Sequence, residues 1–189
     1  MEIWYNKLLE SNVKSMSSEY RILKHFGPSG HGQLFLAITS ENFLVALKII
    51  LEKRYVEIEV EQMKQIKKKC VESCLPFIDY FILQQDGDQC YIIVMKYFEG
   101  YIILSDYLNK NPFHLENLAG IKLQIKKQME MIHQNQIAHN DIDLGNILIH
   151  SKSGIVKIID LGFCIYKFDI TNEQFKLAVQ RDLHLIDNL

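Results

Sequence analysis

The sequence predicts an α+β protein in which an antiparallel sheet of five strands with one helix precedes a helical second half. Between Tyr20 and Lys96, short runs rich in Val, Ile, Leu and aromatic residues alternate with glycine-rich or polar turns, as strands joined by tight connections do. From Ile102 the apolar residues change to a helical period. Between the longest helical pattern and a short apolar strand lies a polar loop, Ile137 to Ile149, which holds His139, Asp141 and Asn146.

With 189 residues the chain can form one compact unit or two small lobes. A hydrophobic fraction of 48% with 23% charged residues describes an ordinary soluble globular protein. The net charge of −2 gives no electrostatic reason to expect nucleic acid. Cys70, Cys74, Cys90 and Cys164 form no C-x-x-C pair and have no matching histidine spacing, which argues for buried, reduced thiols rather than zinc. Met1 to Leu9 contains no long apolar run, so neither a signal peptide nor a membrane span is expected. A soluble protein folded in a cytosol follows, with later export by a specialised secretion machine left open.

Taken in order, residues 1–18 read as a short amphipathic helix and a Ser-rich linker, Ser15 to Ser18. Strands follow at Tyr20–Phe26, Gln33–Ile38 and Phe43–Ile50, and adjacent antiparallel pairing is the economical arrangement. The first connection, Gly27-Pro-Ser-Gly-His-Gly32, reads either as a hairpin turn or as a loop whose backbone N–H groups cradle phosphate. Lys48 sits inside the third, apolar strand, where an ammonium is costly unless it finds a partner or reaches water. A helix over Tyr55 to Cys70 carries an apolar stripe of Val56, Val60, Met63, Ile66 and Cys70. Glu59 shares the inward face of that helix, whereas Glu57 and Glu61 point away, so Glu59 is the expected partner of Lys48.

Strands at Phe77–Gln84 and Cys90–Lys96 complete the sheet across the turn Gln85-Asp-Gly-Asp88. A short helix over Ile103–Asn109 is broken by Asn111-Pro112, and a longer one over Leu115–Asn135 buries Leu118, Ile121, Ile125, Met129 and Ile132. After the polar loop, Asn146–His150 and Ile155–Ile159 form a hairpin that ends in Asp160-Leu-Gly162. A carboxylate ending a buried apolar strand is expensive without a cation. The last segment reads as a helix opened by a Thr171-x-x-Gln174 capping box.

His139-x-Asp141-x-x-x-x-Asn146 resembles the catalytic loop of the protein-kinase superfamily, and the other motifs stand in that family's order. The glycine-rich connection with Leu34 and Ala37 is similar to G-x-G-x-x-G-x-V, with Ser29 in place of the middle glycine; Val45-Ala-Leu-Lys48 resembles V-A-I-K; Asp160-Leu-Gly162 resembles D-F-G. Val94 to Gly100 resembles the hinge passage, and Asp182 resembles the acid that anchors the catalytic loop. The resemblance implies a minimal bilobal kinase-like fold: residues 1–18 as an N-terminal helix and linker, 19–98 as the N-lobe and 99–189 as a truncated helical C-lobe.

The resemblance implies ATP and Mg²⁺ as cofactors. Asp141, Lys48 and Glu59 take the catalytic roles, and Asn146 and Asp160 hold the metal. Gly27, Ser29, Gly30, Gly32, Leu34, Ala46, Lys48, Met95, Lys96, Phe98 and Leu148 line the nucleotide. Two departures stand out. Asn140 replaces the arginine that reads a phosphorylated activation loop, and Asp143 replaces a lysine that neutralises the transferring phosphate. Twenty-nine residues follow Asp160, fewer than the family's activation segment and later helices take. In these respects the chain is similar to compact bacterial effector Ser/Thr kinases, which implies a host protein as substrate and an activating partner such as a ubiquitin-loaded conjugating enzyme or a chaperone. A small-molecule kinase of the aminoglycoside or choline type and an ATP-binding pseudokinase are the competing readings.

Overall fold

The computed structural model describes residues 12–15, 18–69, 77–85, 88–110, 117–160 and 162–189. The helix expected before residue 12, Cys70 and Cys74, turn residues Asp86 and Gly87, the break at Asn111-Pro112, the helix start at Leu115 and Leu161 lie outside them. The chain divides into two compact units, Met1–Lys64 with Pro76–Tyr97 and Gln65–Leu75 with Phe98–Leu189.

The first unit is built on an antiparallel sheet. Its strands are β1 (Asn12–Lys14), β2 (Glu19–Ser29), β3 (Gly32–Thr39), β4 (Leu44–Ile50), β5 (Phe77–Gln85) and β6 (Asp88–Lys96), in the spatial order β1-β2-β3-β4-β6-β5. Five of these match the expected set, and β1 corrects the expected helix at residues 12–14, which are extended. Val13 pairs with Tyr20 of β2 and is buried, so Asn12–Lys14 joins the sheet by placing one apolar side chain in its core. Ser15 and Ser18 hydrogen-bond each other between β1 and β2.

Both faces of this sheet are covered, which is why β4 reads as an almost unbroken apolar run. On one face Tyr20, Ile22, Phe35, Ala37, Val45, Leu47, Ile49, Ile92 and Val94 form a single cluster. The Tyr20 and Phe81 rings stack with centroids 5.7 Å apart, although β3, β4 and β6 lie between their strands in the sheet order. The sheet therefore curls until β2 and β5 approach across its interior. On the other face Ile50, Tyr91 and Ile93 meet Val56, Val60 and Met63 of helix α1 (Lys53–Lys69), the first three members of the stripe that helical spacing predicts; the Ile66 side chain lies outside the description.

The second unit contains α2 (Leu104–Lys110), α3 (Leu118–Gln134) and α4 (Asn172–Asp187). A small antiparallel sheet has the order β10-β9-β7, with β7 at Tyr101–Ile103, β9 at Ile147–His150 and β10 at Val156–Ile158. A second pairing joins β8 (Ile137–Ala138) to β11 (Ile165–Tyr166). The expected hairpin is β9–β10. Strand β7 is additional: Ile102 pairs with Ile149, which supplies β9 with a second neighbour just before the chain turns into α2. Helix α3 buries Ile121, Ile125, Met129 and Ile132 as expected, in one cluster with Ile137, Ile147, Ile149 and Val156, whereas Leu118 in its first turn is only half-buried. The capping box of α4 is present, with Gln174 N donating to Thr171 Oγ1 at 3.2 Å and Thr171 N to Gln174 Oε1 at 2.9 Å. No helix among the described residues is long and apolar enough to cross a membrane.

The outer edge of β10 is closed by side chains. Gln124 Nε2 donates to Gly154 O at 3.0 Å while its Oε1 accepts from Val156 N at 3.2 Å. One helical turn on, Gln128 Nε2 donates to Val156 O at 2.8 Å and its Oε1 accepts from Ile158 N at 3.3 Å. Each amide thus imitates one peptide group of a neighbouring strand and removes an exposed edge. Gln128→Ala leaves a donor and an acceptor of β10 without these partners, and is expected to cost about 1–3 kcal/mol in denaturant unfolding. An unchanged midpoint at unchanged slope would show that the clamp contributes nothing.

Candidate active site

In the first unit, alternation along β4 decides which way the lysine points. Leu47 and Ile49 enter the sheet core, so Lys48 emerges on the face that carries α1. There Lys48 Nζ donates to Glu59 Oε1 at 2.7 Å and to Oε2 at 2.9 Å. Both side chains are buried, with 4% and 6% of their residue surfaces exposed, so each charge has lost most of its water and the pairing offsets that cost. An ammonium has three protons, and two face Glu59, which leaves one for a further acceptor.

The glycine-rich connection folds over this pair as a two-residue turn, Gly30-His31, rather than as the longer loop that the sequence suggests. Gly30 has φ +55°, and a Cβ built on it would lie 3.5 Å from Lys48 Nζ. Bare backbone therefore stands beside the ammonium. Gly32 is held by packing: a Cβ there would come to 2.5 Å from Ile49 O. The His31 ring stacks on Tyr55 of α1 at 3.7 Å between centroids and 6° between planes, a tie between the turn and the helix of Glu59 that sequence reasoning did not find. Ala46 pairs with Met95, and Leu34 with Lys48, so Leu34, Ala46 and Met95 form a half-buried apolar surface on the face of Lys48. Lys96 is exposed at the end of β6, whereas Phe98 and Leu148 belong to the second unit.

In the second unit the polar loop is held from below by a buried acid. Asp182 of α4 accepts from His139 N and Asn140 N, each at 2.8 Å, and from His133 Nε2 at 2.9 Å. His139 is fully buried; its Nε2 donates to Ile159 O at 3.2 Å, and its Nδ1 accepts from Asp141 N at 3.3 Å. These two bonds suit the neutral ring, and burial pushes its pKa below the ordinary 6.5. Asn146 Nδ2 donates to both Asp141 O and Asp141 Oδ2 at 2.9 Å. Asp160, two residues past β10, has φ +59°, and its Oδ1 accepts from Gly162 N at 3.2 Å.

Of the predicted residues, Lys48, Glu59, Gly30, Leu34, Ala46 and Met95 come together in the first unit, with Gly27, Ser29 and Gly32 on the same hairpin. Asp141 and Asn146 are bonded to each other in the second. Ile159 N donates to Asn146 O at 2.9 Å and thereby links Asn146 to the residue before Asp160. His133 and Arg181 were missed. Arg181 Nη1 donates to Asn140 Oδ1 at 3.2 Å, so Asn140 is gripped by its backbone and by its side chain from consecutive residues of α4. Their partners lie more than forty positions away in sequence, beyond any local signal.

The donor set fits a magnesium nucleotide in kind. The bond from Gly162 takes one lone pair of Asp160 and leaves others on its carboxylate, and Asn146 directs its nitrogen to Asp141, which keeps its amide oxygen for another partner. Among the described residues no group of three or more His, Cys, Asp or Glu could hold a metal ion. Mg²⁺ does not need one, since one or two protein oxygens suffice when phosphates and waters complete the shell.

A curled sheet with a buried Lys–Glu pair, followed by a helical unit with an Asp–Asn loop on a buried anchor, defines a kinase-like protein. The sequence family described as protein kinase domain matches residues 20–175, and the chain belongs to that family. It is 32% identical over 157 residues to the serine/threonine-protein kinase PrkC of Bacillus subtilis, across 79% of this chain and 23% of that protein. It is 33% identical over 138 residues to the serine/threonine-protein kinase pakG of Dictyostelium discoideum, across 72% of this chain and 11% of that protein. The chain thus spans between about a tenth and a quarter of the length of these curated relatives. The crystal structure of the BubR1 kinase domain superposes with a TM-score of 0.68 at 18% identity, covering 87% of this chain and 53% of that one, and shows the same fold.

Glu59→Ala would leave Lys48 buried without the carboxylate that pairs it. It is expected to destabilise the protein by about 3–5 kcal/mol in denaturant unfolding, whereas Lys48→Met with Glu59→Leu costs far less. Equal losses in the single and double variants would refute an ion pair that is costly to break. For the metal-free protein, stability is expected to fall as pH drops below 6.5, because the unfolded chain protonates His139 while the folded chain resists it until its depressed pKa is reached. His139→Asn should flatten that part of the stability–pH curve, and an unflattened curve would assign the slope to other groups.

Proposed function

We propose that the protein transfers the terminal phosphoryl group of ATP to Ser or Thr hydroxyls of a protein, as a compact effector-type kinase acting on host-cell proteins. Family membership and the Ser/Thr kinase relatives support the protein-kinase part. The observation that carries the reading to chemistry is the buried Lys48–Glu59 pair beside bare glycine backbone. A fold that needed only stability would gain as much from apolar side chains there.

In this reading Lys48, oriented by Glu59, offers its remaining proton to phosphate oxygens, and the Gly30-His31 turn covers them with backbone N–H groups. Leu34, Ala46, Met95 and Leu148 offer apolar surface to adenine, and the backbone from Lys96 to Phe98 offers it hydrogen bonds. Asp160 and Asn146 would hold Mg²⁺, which when bound would supply positive charge to offset that of the phosphates. Asp141 accepts the proton of the attacking hydroxyl, and Asn146 fixes the direction of its carboxylate.

A second reading, a small-molecule kinase, draws on Asp143, since such enzymes also lack the family's phosphate-facing lysine in this loop. Incubation with labelled ATP, Mg²⁺ and a host lysate separates the two: a labelled protein band supports the first and a small labelled product the second. Asp160→Asn should weaken Mg²⁺–ATP binding in calorimetry. Asp141→Asn should leave binding nearly unchanged and lower turnover by about a hundredfold or more, since it acts only during transfer. Wild-type turnover in Asp141→Asn would overturn the assignment.

A further inference from the structure

We propose that Asp143 is a positioning residue for the transfer reaction, acting as the cap of the turn that carries Asn146 and, through Asn146, on Asp141. The proposal rests on the kinase reading above and deepens it. By sequence, Asp143 reads only as an acid in the place of the family's phosphate-facing lysine. The geometry gives it a different task.

Leu144–Asn146 is a single 3₁₀ turn, and Asp143 precedes it in the extended conformation typical of a capping residue, with φ −146° and ψ 174°. Its Oδ1 accepts from both Gly145 N and Asn146 N, the latter at 3.0 Å. The approach is close: a Cβ at position 145 would come to 2.9 Å from that oxygen and would push the Asp143 carboxylate aside. The cap fixes the backbone of Asn146, and the Asn146 amide then spans Asp141, donating at 2.9 Å to its carbonyl and at 2.9 Å to its carboxylate. Two links therefore connect Asp143 to the group that takes the proton: the first requires an acceptor at position 143 and the second an acceptor at Asp141.

A lysine at 143 would bring a cation toward phosphate but could accept no hydrogen bond, so the charge role and the cap role exclude one another on this backbone. This makes the two separable by substitution. Asn and Ser keep a side-chain acceptor without the charge, Ala removes the acceptor, and Lys exchanges it for a cation.

The test measures amide hydrogen exchange at Gly145 and Asn146, together with kcat and the KM for ATP, in Asp143→Asn, Asp143→Ser, Asp143→Ala and Asp143→Lys. Expected are protection and turnover near wild type in the Asn and Ser variants. In the Ala and Lys variants protection is lost and kcat falls roughly tenfold, with KM for ATP within about a factor of two of wild type. A rise in kcat for Asp143→Lys would overturn the cap role in favour of charge, as would unchanged exchange and kcat in Asp143→Ala. Equal losses in all four variants would also overturn it, because rescue by an alternative acceptor is its signature. Absence of transfer in the wild type overturns the kinase reading, and with it the positioning role, while the exchange arm still decides whether Asp143 caps the turn.

Discussion

The arrangement of the second unit depends on one carboxylate without access to water. Asp182 is fully buried, and a charge in that position is tolerable only when hydrogen bonds replace its hydration. Three donors do so, from His133 at the end of α3 and from the backbones of His139 and Asn140. The acid cannot be satisfied unless α3, α4 and the chain leaving β8 are all in place. Its satisfaction thereby selects the backbone path of the polar loop, including the left-handed φ of +64° at Asn140. Through His139 the same network reaches Asp141 on one side and the carbonyl of Ile159, next to Asp160, on the other.

The first unit is organised by a complementary constraint. Curling the sheet encloses one face, while α1 covers the other, so any polar group on β4 must find a partner inside the protein. Lys48 finds it in Glu59, and the burial that makes the pair costly also strengthens it, because little water screens the charges. The pair orients the ammonium beside the glycine turn, with Gly30 closest. A long side chain that would otherwise sample many rotamers is thus held in one direction, at the expense of stability that an apolar pair would not forfeit.

Asn140 and Asp143, the departures from the family pattern in the polar loop, are structurally occupied. Asn is among the residues that tolerate a left-handed backbone, and the Asn140 amide accepts from Arg181. Asp143 spends its carboxylate on local N–H groups, as short acids do at caps. In both cases a long cation gives way to a short side chain that bonds nearby, and a charge aimed outward is replaced by a more closely bonded loop.

What the sequence by itself determined is what neighbours in the chain decide. Alternation and turns marked the strands from Tyr20 to Lys96, and helical spacing placed Glu59 on the inward face of α1 while turning Glu57 and Glu61 outward. The three-residue interval from Thr171 to Gln174 specified the start of α4. Asp141 and Asn146 were visible as a pair because five residues are few enough for their side chains to meet within one loop. Only the tertiary structure decided the remainder. Strands of three residues, Asn12–Lys14 and Tyr101–Ile103, carry too little periodicity to be seen and exist because a neighbouring strand offers hydrogen bonds. The grip of His133 and Arg181 on the loop network, the hold of Gln124 and Gln128 on β10 and the stack of His31 on Tyr55 each join residues that share no local pattern. A polar side chain far in sequence from its partner looks like any solvated one until folding removes the water and leaves that partner as its source of hydrogen bonds.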